Sequence, residues 1–367
     1  MPETREPMSM VRESFKVEWY RCPVAPDKLK ELTRRSDTKG ALQAVGYLLV
    51  VAGLGALSWL LYRRGLWGAM AVALFLFGLA YSFTPGLVTH ELSHGTVFRT
   101  RWLNAFFLRF YSLVGWTHFH QYKRSHTYHH LYTLHPRGDR EVVLPTTPSL
   151  HPLRLLMYFT LNVENLGRAL WGTLWLALTG RFWNDWSEDV FADDRRARGQ
   201  ARAWAWLLLA YHAAVIAVGV ALKLWLLPVL LTLGPYIANI WMYLVGLPMH
   251  AGLRDNVPDF RLCCRTITLD PISGFLYWHM NYHTEHHMYA AVPCYNLGKL
   301  ARAMADDMPK PRSVLGAWKE MRAIYRRQRT EPGYQYDTPL PVPRGKAPDP
   351  HDALRASIGD LAPRALS

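Results

Sequence analysis

Cysteine is scarce in this sequence, and the four copies are poorly spaced for a cysteine-based site. Cys22, Cys263, Cys264 and Cys294 form no C-x-x-C pair. This spacing excludes iron–sulfur, rubredoxin-like and thioredoxin-like modules. It also excludes a disulfide framework, so any metal or redox chemistry in this chain rests on other side chains.

Acidic residues are also few relative to basic ones. The 367 residues include 42 Lys and Arg against 28 Asp and Glu, a formal net charge of +14, yet only 19% of the chain is charged. A nucleic-acid-binding protein would cluster such charge on a soluble face. Here the apolar runs are long and nearly free of charge. This favours a membrane protein with basic cytoplasmic segments and no nucleic-acid partner.

Two long apolar blocks, each broken once, predict two membrane hairpins. The first block is broken at the Tyr-Arg-Arg-Gly sequence of residues 62–65 and the second near Lys223. Each half has roughly the 20 apolar residues that cross a bilayer as a helix. Pro228 and Pro235 lie in the last half, where neighbouring residues can satisfy the carbonyls freed by a kink. The predicted spans are residues 41–62, 66–89, 203–222 and 225–249.

Basic residues predict the orientation of these hairpins. Arg and Lys are abundant outside the apolar blocks, whereas the two turns carry only Arg63, Arg64 and Lys223. The positive-inside rule therefore puts both termini and the long middle segment in the cytoplasm, and we expect a bacterial inner membrane. The N-terminus has no apolar core behind a basic start, so no cleavable signal peptide is expected.

The remaining segments predict a helical cap and a tail. Residues 102–116 and 153–183 are apolar but interrupted by charge, which favours amphipathic helices in the membrane interface. A further amphipathic helix is expected over residues 313–327. From Pro332 the chain is rich in proline, and we expect disorder there. The predicted domains are a cytoplasmic N-terminal segment (1–40), a membrane domain (41–300), a helical C-terminal segment (301–330) and a disordered tail (331–367).

Histidine is abundant, with 16 copies, and nine of them fall in four places. The motifs HELSH, HTYHH and HTEHH each place two or three histidines three or four residues apart, which is one face of a helix. A further histidine follows the last predicted span. Because each predicted span crosses the membrane once, all nine are expected at the cytoplasmic edge of the helix bundle. They are His90 and His94; His126, His129 and His130; His250; and His283, His286 and His287.

Nine converging imidazoles exceed the needs of one metal ion. A catalytic zinc takes three protein ligands and a structural zinc four. Nine predict two metal ions with four or five nitrogen ligands each, and an all-nitrogen pair at a membrane edge points to redox iron that activates O₂. The predicted fold class is an all-α integral membrane protein. Four transmembrane helices in two hairpins carry a cytoplasmic helical cap that holds a histidine-ligated dimetal site.

Two other interpretations stay open at this point. HELSH alone matches the His-Glu-x-x-His helix of zinc metalloproteases, with Glu91 as general base and Asp270 as a candidate distant ligand. Such an intramembrane protease leaves HTYHH and HTEHH unexplained. A non-enzymatic protein with closed structural metal sites is the other interpretation. The remaining histidines are interpreted as ordinary hydrogen-bonded residues: His118, His120, His135, His151, His212, His279 and His351.

Taken together, the three motifs resemble the histidine boxes of the membrane fatty acid desaturase and hydroxylase superfamily. The segment YWHMNYHTEHHMYAAVPCYNLGKL at residues 277–300 is the most specific match, and the resemblance covers residues 41–300. It implies a four-span bundle with a cytoplasmic cap and a non-haem di-iron centre. It further implies O₂ as a substrate and two electrons from an external protein such as ferredoxin or cytochrome b5.

The resemblance also implies roles for individual residues. The eight histidines of the three boxes match iron ligands, with no separate protein base, and His250 matches an additional histidine of some members. Acyl-CoA-type members carry an Asn one turn before that histidine, where this chain has Gly246. Five carboxylates are candidates for accepting hydrogen bonds from the outer nitrogens of the ligands: Asp139, Glu141, Asp255, Asp270 and Glu285.

The boxes leave the reaction open between two outcomes that share the first hydrogen abstraction. Desaturation of a fatty acyl lipid is favoured, and a hydroxylase, ketolase or alkane-type monooxygenase is the alternative. The expected substrate is a lipid or another hydrophobic molecule. The basic cytoplasmic face predicts salt-dependent docking of an acidic electron carrier.

Overall fold

The computed structural model describes residues 6–146 and 148–341, and helices dominate these residues. Two short helices, α1 (Met8–Ser14) and α2 (Pro26–Leu32), precede the first long one. Between them, Tyr20 forms a backbone bridge with Asp259 that ties the N-terminal segment to the cap. The predicted helical class is confirmed for the described part of the chain.

Both helices of the first predicted hairpin are present. α3 (Asp37–Arg63) begins at Ser36, whose side chain accepts a hydrogen bond from the backbone N–H of Lys39. The turn passes through Gly65, which has a φ of 69° that glycine adopts without steric cost. α4 (Trp67–Tyr81) then packs along α3.

The second helix of the hairpin continues beyond the apolar block into the first histidine motif. After α4, Thr84–Val88 forms a π-helical turn that leads directly into α5 (Thr89–His94). Pro85 lies at the start of this turn. Because proline lacks a backbone donor, the regular helical ladder is interrupted there. Short π-helical insertions of this kind occur often at functional sites.

Five helices separate the two hairpins, and three of them occupy the segments predicted as interface helices. Large apolar side chains are exposed on these three, including Trp102, Phe106, Trp171 and Leu178. This is the amphipathic arrangement that the sequence predicts, and their position in the membrane interface stays a prediction. The five helices are α6 (Arg101–Val114), α7 (Phe119–Tyr132), α8 (Pro152–Phe159), α9 (Val163–Thr179) and α10 (Asp185–Val190).

The second hairpin differs from the prediction in its returning half. α11 (Arg195–Ala221) is continuous and packs against α9. The segment predicted as one span over residues 225–249 is instead divided at residues 237–239. Its parts are α12 (Leu226–Pro228), a π-helical turn (Val229–Leu233), a 3-10 turn (Gly234–Tyr236), α13 (Ile240–Gly246) and a second 3-10 turn (Leu247–Met249).

The break in this segment has a local cause and a compensating partner. Pro235 cannot donate to a helix, and Ala238 has a φ of 50°, outside the helical region. The linker between α8 and α9 satisfies the freed backbone. The N–H of Asn162 donates to the Tyr236 carbonyl and the N–H of Ala238 donates to the Thr160 carbonyl, both at 2.8 Å. Non-helical backbone at membrane depth requires such partners.

Three described helices are long and apolar enough to cross a membrane: Asp37–Arg63, Trp67–His94 and Arg195–Ala221. Their outer faces expose apolar side chains such as Leu49 and Val72, as a lipid-facing surface requires. The divided segment contributes only the shorter apolar helices Leu226–Tyr236 and Ile240–Met249. A fourth span therefore stays a prediction.

The rest of the cap follows the second hairpin. β1 pairs in parallel with β2, joining Ile267 to Arg312 and Thr268 to Ser313. The amphipathic helix predicted over residues 313–327 is present as the last helix. The elements are α14 (Phe260–Cys263), β1 (Ile267–Thr268), α15 (Pro271–Leu276), α16 (His283–Met288), α17 (Cys294–Met304), a 3-10 turn (Ala305–Asp307), β2 (Arg312–Ser313) and α18 (Val314–Thr330).

The first part of the predicted disordered tail is ordered against the cap. Asp337 pairs with Arg254, the Tyr336 hydroxyl donates to Glu320 at 3.1 Å, and Leu340 packs on the core. These aromatic, charged and apolar contacts offset the conformational entropy that the segment loses on ordering. The high proline content alone had indicated disorder. Residues 342–367, including His351, lie outside the described residues.

Candidate metal centre

Nine histidines from three helices and one turn meet in two groups at the end of the bundle. Within each group the candidate ligand atoms all lie within 4.8 Å of one another. All nine predicted histidines are therefore brought together, and no other described histidine joins either group. The five-histidine cluster contains His90, His94, His126, His130 and His286, and the four-histidine cluster contains His129, His250, His283 and His287.

Helical periodicity explains how HTYHH and HTEHH each serve both groups, whereas both histidines of HELSH join the five-histidine cluster. In α7, His126 and His130 are four residues apart and join the five-histidine cluster, while His129 joins the other. In α16, His283 and His287 are four apart and join the four-histidine cluster, while His286 turns to the first. Residues three apart on a helix differ by about 60° in direction. α7 and α16 thus lie between the two groups and supply both.

Carboxylates hold the outer nitrogens of three of these rings. The Nδ1 atom of His126 lies 2.8 Å from Glu141, that of His129 lies 2.8 Å from Asp139, and that of His90 lies 3.0 Å from Glu91. Asp139 also accepts the backbone N–H groups of Leu134 and Glu141. Asp139 and Glu141 are therefore the two of the five candidate carboxylates that contact histidines of the clusters.

Neutral oxygen partners hold two other rings, both in the four-histidine cluster. The Nδ1 atom of His250 lies 2.9 Å from the Cys263 carbonyl, and that of His287 lies 3.1 Å from the Thr133 hydroxyl. A carbonyl can only accept, so the His250 proton sits on Nδ1 and leaves Nε2 as a bare acceptor. The Cys263 carbonyl gives no signal in the sequence. Thr133 has only a weak one, its place one turn after His129.

The inward nitrogens have the properties of a metal-ligand set. The Nε2 atoms of His90, His94 and His126 are buried and have no hydrogen-bond partner. Others face one another across short gaps, with His250 and His283 joined at 2.8 Å and His283 and His287 at 3.1 Å. Nitrogen lone pairs that converge in this way, with the ring protons held on the far side, fit two bound metal ions.

Burial also favours the neutral ring form that binds metal. Outside the candidate spans, burial lowers the pKa of His250 to about 3. It likewise holds the pKa values of His126 and His286 well below the usual range. Burial also disfavours charge on His129, but the adjacent Asp139 carboxylate raises the pKa of that ring. A ligand imidazole must be neutral, so most of this set is ready for metal near neutral pH.

The other three predicted carboxylates lie elsewhere. Glu285 accepts a hydrogen bond from Thr266, Asp255 from Gln335, and Asp270 caps α15 through the N–H groups of Ile272 and Ser273. The sequence could not separate these from Asp139 and Glu141, because only the tertiary fold brings a loop carboxylate to a ring. The role of Asp270 as a helix cap also removes the distant ligand of the zinc protease interpretation.

The described histidines outside the two clusters have varied surroundings. His212 lies 3.2 Å from both Thr232 and the Leu113 carbonyl, and His135 contacts the carbonyls of Tyr132 and Thr133. These two fit the expectation of ordinary hydrogen-bonded residues. By contrast, His118 and His120 line cavities on opposite sides of α7.

A cavity of about 840 Å³ lies where the bundle meets the cap. Pro85 and Gly86 of the π-helical turn line it, as do Tyr236 and Asn239 of the divided segment, so both irregular stretches of the bundle open onto the same space. Tyr122 and Ser125 of α7 also line the cavity, as does Glu141, whose carboxylate contacts the His126 ring.

The opposite face of α7 carries two clefts of about 530 and 520 Å³. Both include His94 and Lys123 in their walls, and no described Asp or Glu lines either of them. We call them the basic clefts. Their further cations are Arg101, Arg109 and Arg124 in the larger cleft and Arg21 in the smaller.

Comparison with known families identifies the fold that carries these histidines. A profile of the fatty acid desaturase family matches residues 65–317, a segment that contains all nine histidines of the two clusters. The chain belongs to the fatty acid desaturase family. Comparison with curated proteins found no match. The predicted resemblance is thus confirmed.

Family membership sets the broad function of this desaturase-family protein. It is a membrane protein with apolar helices, and its activity is that of an oxidoreductase of the desaturase or hydroxylase type. Its two histidine clusters could hold metal ions.

Proposed function

We propose that this protein is a membrane-bound, O₂-dependent non-haem di-iron oxidoreductase that acts on unactivated C–H bonds, and that its reaction is desaturation of a fatty acyl lipid. The observation that carries the proposal is the convergence of nine imidazoles in two adjacent groups. The five-histidine cluster would hold one iron and the four-histidine cluster the other. A single hydrolytic zinc would leave most of these ligands without a role.

The chain's own residues would fix the ligands and place the substrate. Glu91, Asp139 and Glu141 hold ring protons on the outer nitrogens, which keeps the inner nitrogens free. The bound irons would supply oxidation by O₂, which side chains alone do not perform. The reaction balances when one O₂ becomes two waters, using two hydrogens of the substrate and two electrons with two protons from an external donor.

The cavity of about 840 Å³, which we call the substrate-side cavity, supports this proposal through its position. Ser125 donates to Glu141, which in turn contacts His126, so the cavity wall and the five-histidine cluster share a hydrogen-bonded chain. Trp186 reinforces this wall by donating its indole N–H to Ser125 at 2.9 Å. A lipid in the cavity would lie beside the cluster, with aromatic side chains limiting the access of water.

We further propose the predicted topology, with four crossings, both termini in the cytoplasm and a bacterial inner membrane. The two short apolar helices Leu226–Tyr236 and Ile240–Met249 would together complete the fourth crossing. Their break lies against protein and lines a cavity, the setting in which irregular backbone is tolerated in membranes. An acidic carrier such as ferredoxin, or cytochrome b5, would deliver electrons on the side of the basic clefts.

The test is expression in a host with its own redox partners, followed by mass spectrometry of the cellular lipids. The proposal predicts products lighter than a host lipid by two hydrogens, with O₂ uptake that depends on both lipid and reductant. His286→Ala, which removes a proposed ligand, is the matched inactive control. A product heavier by one oxygen would indicate the hydroxylase alternative. Absence of any O₂-dependent lipid product would contradict the proposal.

A further inference from the structure

The substrate-side cavity is lined by two polar side chains that each keep an unused acceptor. The Nδ1 atom of His118 and the Oδ1 atom of Asn239 are buried and have no hydrogen-bond partner. Asn239 is only 8% exposed. Buried acceptors without partners are uncommon in native structures, because each carries an uncompensated loss of hydration. Two on the wall of one cavity therefore require a common explanation.

The hydrogen bonds around Thr173 fix which nitrogen of His118 carries the proton. The Thr173 hydroxyl donates to the Ala169 carbonyl at 2.6 Å and accepts the indole N–H of Trp116 at 3.1 Å. Its only proton is therefore used. The Nε2 atom of His118, 2.9 Å from the same hydroxyl, must be the donor in that contact. In the neutral ring, Nδ1 is then a bare acceptor.

The protonation state of His118 agrees with this assignment. Burial lowers the pKa of His118 to about 4, so the ring is neutral near pH 7. The amide of Asn239 is oriented in the same way, because its Nδ2 group donates to the Pro235 carbonyl at 2.9 Å and leaves Oδ1 unused. Both side chains thus offer the cavity one unused acceptor each.

The charged groups of the cavity do not meet this need. Arg140 is paired with Asp189, and Glu141 already contacts Ser125 and His126. Gln121 donates its amide to Ser187 at 2.6 Å. The two free acceptors therefore call for a hydrogen-bond donor from a bound molecule, since an anionic or purely hydrocarbon group would leave them unsatisfied. A neutral donor satisfies them without burying a further charge.

We propose that the cavity binds a lipid that carries a neutral hydrogen-bond donor, a hydroxyl or an amide N–H, and that His118 and Asn239 accept it. This inference rests on the proposed function, in which the cavity holds the substrate. It narrows the substrate class from acyl lipids in general to those with an O–H or N–H group beside the chain. An ester-linked chain without such a donor binds less tightly.

The test uses two probes that differ only in this donor: N-methylhexadecanamide, which has one N–H, and methyl hexadecanoate, which has an ester oxygen in its place. Saturable binding of each radiolabelled probe is measured on the iron-loaded protein in nanodiscs, with empty nanodiscs subtracted. The amide is expected to bind about tenfold more tightly, equivalent to about 1.4 kcal/mol. The wild-type comparison needs no variant and so does not depend on the folding of one.

Variants then assign the preference to the two side chains. Asn239→Leu and His118→Phe should each reduce the amide preference, and the double variant should abolish it. His151→Phe, the same exchange at an exposed histidine outside the cavity, should keep the full tenfold preference. Iron content per chain serves as the check that each variant remains folded around the centre.

Three outcomes would overturn the inference. These are equal affinity for the two probes, which is expected if water satisfies both acceptors, no saturable binding of either probe, or an amide preference that survives in the double variant. If the iron-loaded protein is active on lipids while the probes bind equally, this inference fails and the proposed function stands. If the protein binds no iron under iron-replete conditions but the metal-free protein in nanodiscs still shows the amide preference, the proposed function fails instead.

Discussion

The five-histidine and four-histidine clusters share two helices but are held in different ways. Three rings of the five-histidine cluster contact carboxylates, His90 and His286 through Glu91, and His126 through Glu141. The four-histidine cluster has one carboxylate contact, from Asp139, and otherwise relies on neutral oxygen partners. It also has one candidate ligand nitrogen fewer than the five-histidine cluster. A lost ligand should therefore matter more in the four-histidine cluster than in its neighbour.

The largest expected effect follows from removing His250. His250→Ala leaves the four-histidine cluster with three nitrogens and frees the Cys263 carbonyl that oriented the ring. We expect most of the activity to be lost, at least about 100-fold, and iron to fall towards one per chain. The measurements are product yield and elemental analysis of the purified variant. Full iron occupancy with normal turnover would remove His250 from the ligand set.

A matched removal from the other cluster sharpens the contrast. His94→Ala leaves four nitrogens in the five-histidine cluster, as many as the intact second cluster has. Activity should fall strongly, but iron should stay closer to the wild-type content than in His250→Ala. If both variants lose the same share of iron, the two clusters do not differ as described.

A smaller effect is expected from the carboxylate of the four-histidine cluster. Asp139→Asn keeps the size of the side chain but weakens its hold on His129 and on the Leu134 N–H. Loss of such a partner commonly costs about 10–100-fold in metal affinity or activity, and iron affinity is measured by chelator competition. Asp255→Asn, at a carboxylate that accepts a hydrogen bond from Gln335, should leave iron affinity unchanged. Equal losses in both variants would contradict the role of Asp139.

The smallest effect concerns the basic clefts, which reach the five-histidine cluster through His94. The rate of reduction by an acidic carrier should fall as salt rises, because exposed charges are screened within about 10 Å at 0.1 M. Lys123→Gln removes a cation common to both clefts and should slow reduction several-fold at low salt, with little effect at high salt. Stopped-flow reduction rates that stay flat from low to high salt would exclude electrostatic docking.

Some features of the two clusters follow from the local sequence, and others do not. Spacing of three and four residues predicted that His126, His129 and His130 share one helix face, because helical periodicity is a local property, but the structure divides them between the two clusters. The count of crossings predicted that His250, which follows the last apolar segment, lies at the same edge of the bundle as the other eight histidines. Assigning each ring to one of two groups required the tertiary arrangement of α5, α7 and α16.

Features that depend on non-local partners escaped the sequence. The break at residues 237–239 follows from Pro235 and from pairing with residues 160–162, a segment far away in the chain. A backbone carbonyl such as that of Cys263 leaves no trace in the pattern of side chains. The unused acceptors of His118 and Asn239 depend on hydrogen bonds to Thr173 and Pro235, and the sequence pattern does not encode these contacts.

The most direct test of the account is metal analysis of the wild-type protein, purified after expression in iron-replete medium. Two histidine clusters with nine converging nitrogens predict about two iron atoms per chain. Removal of either cluster's ligands should lower this number as described above. A single zinc per chain without iron would contradict the central claim.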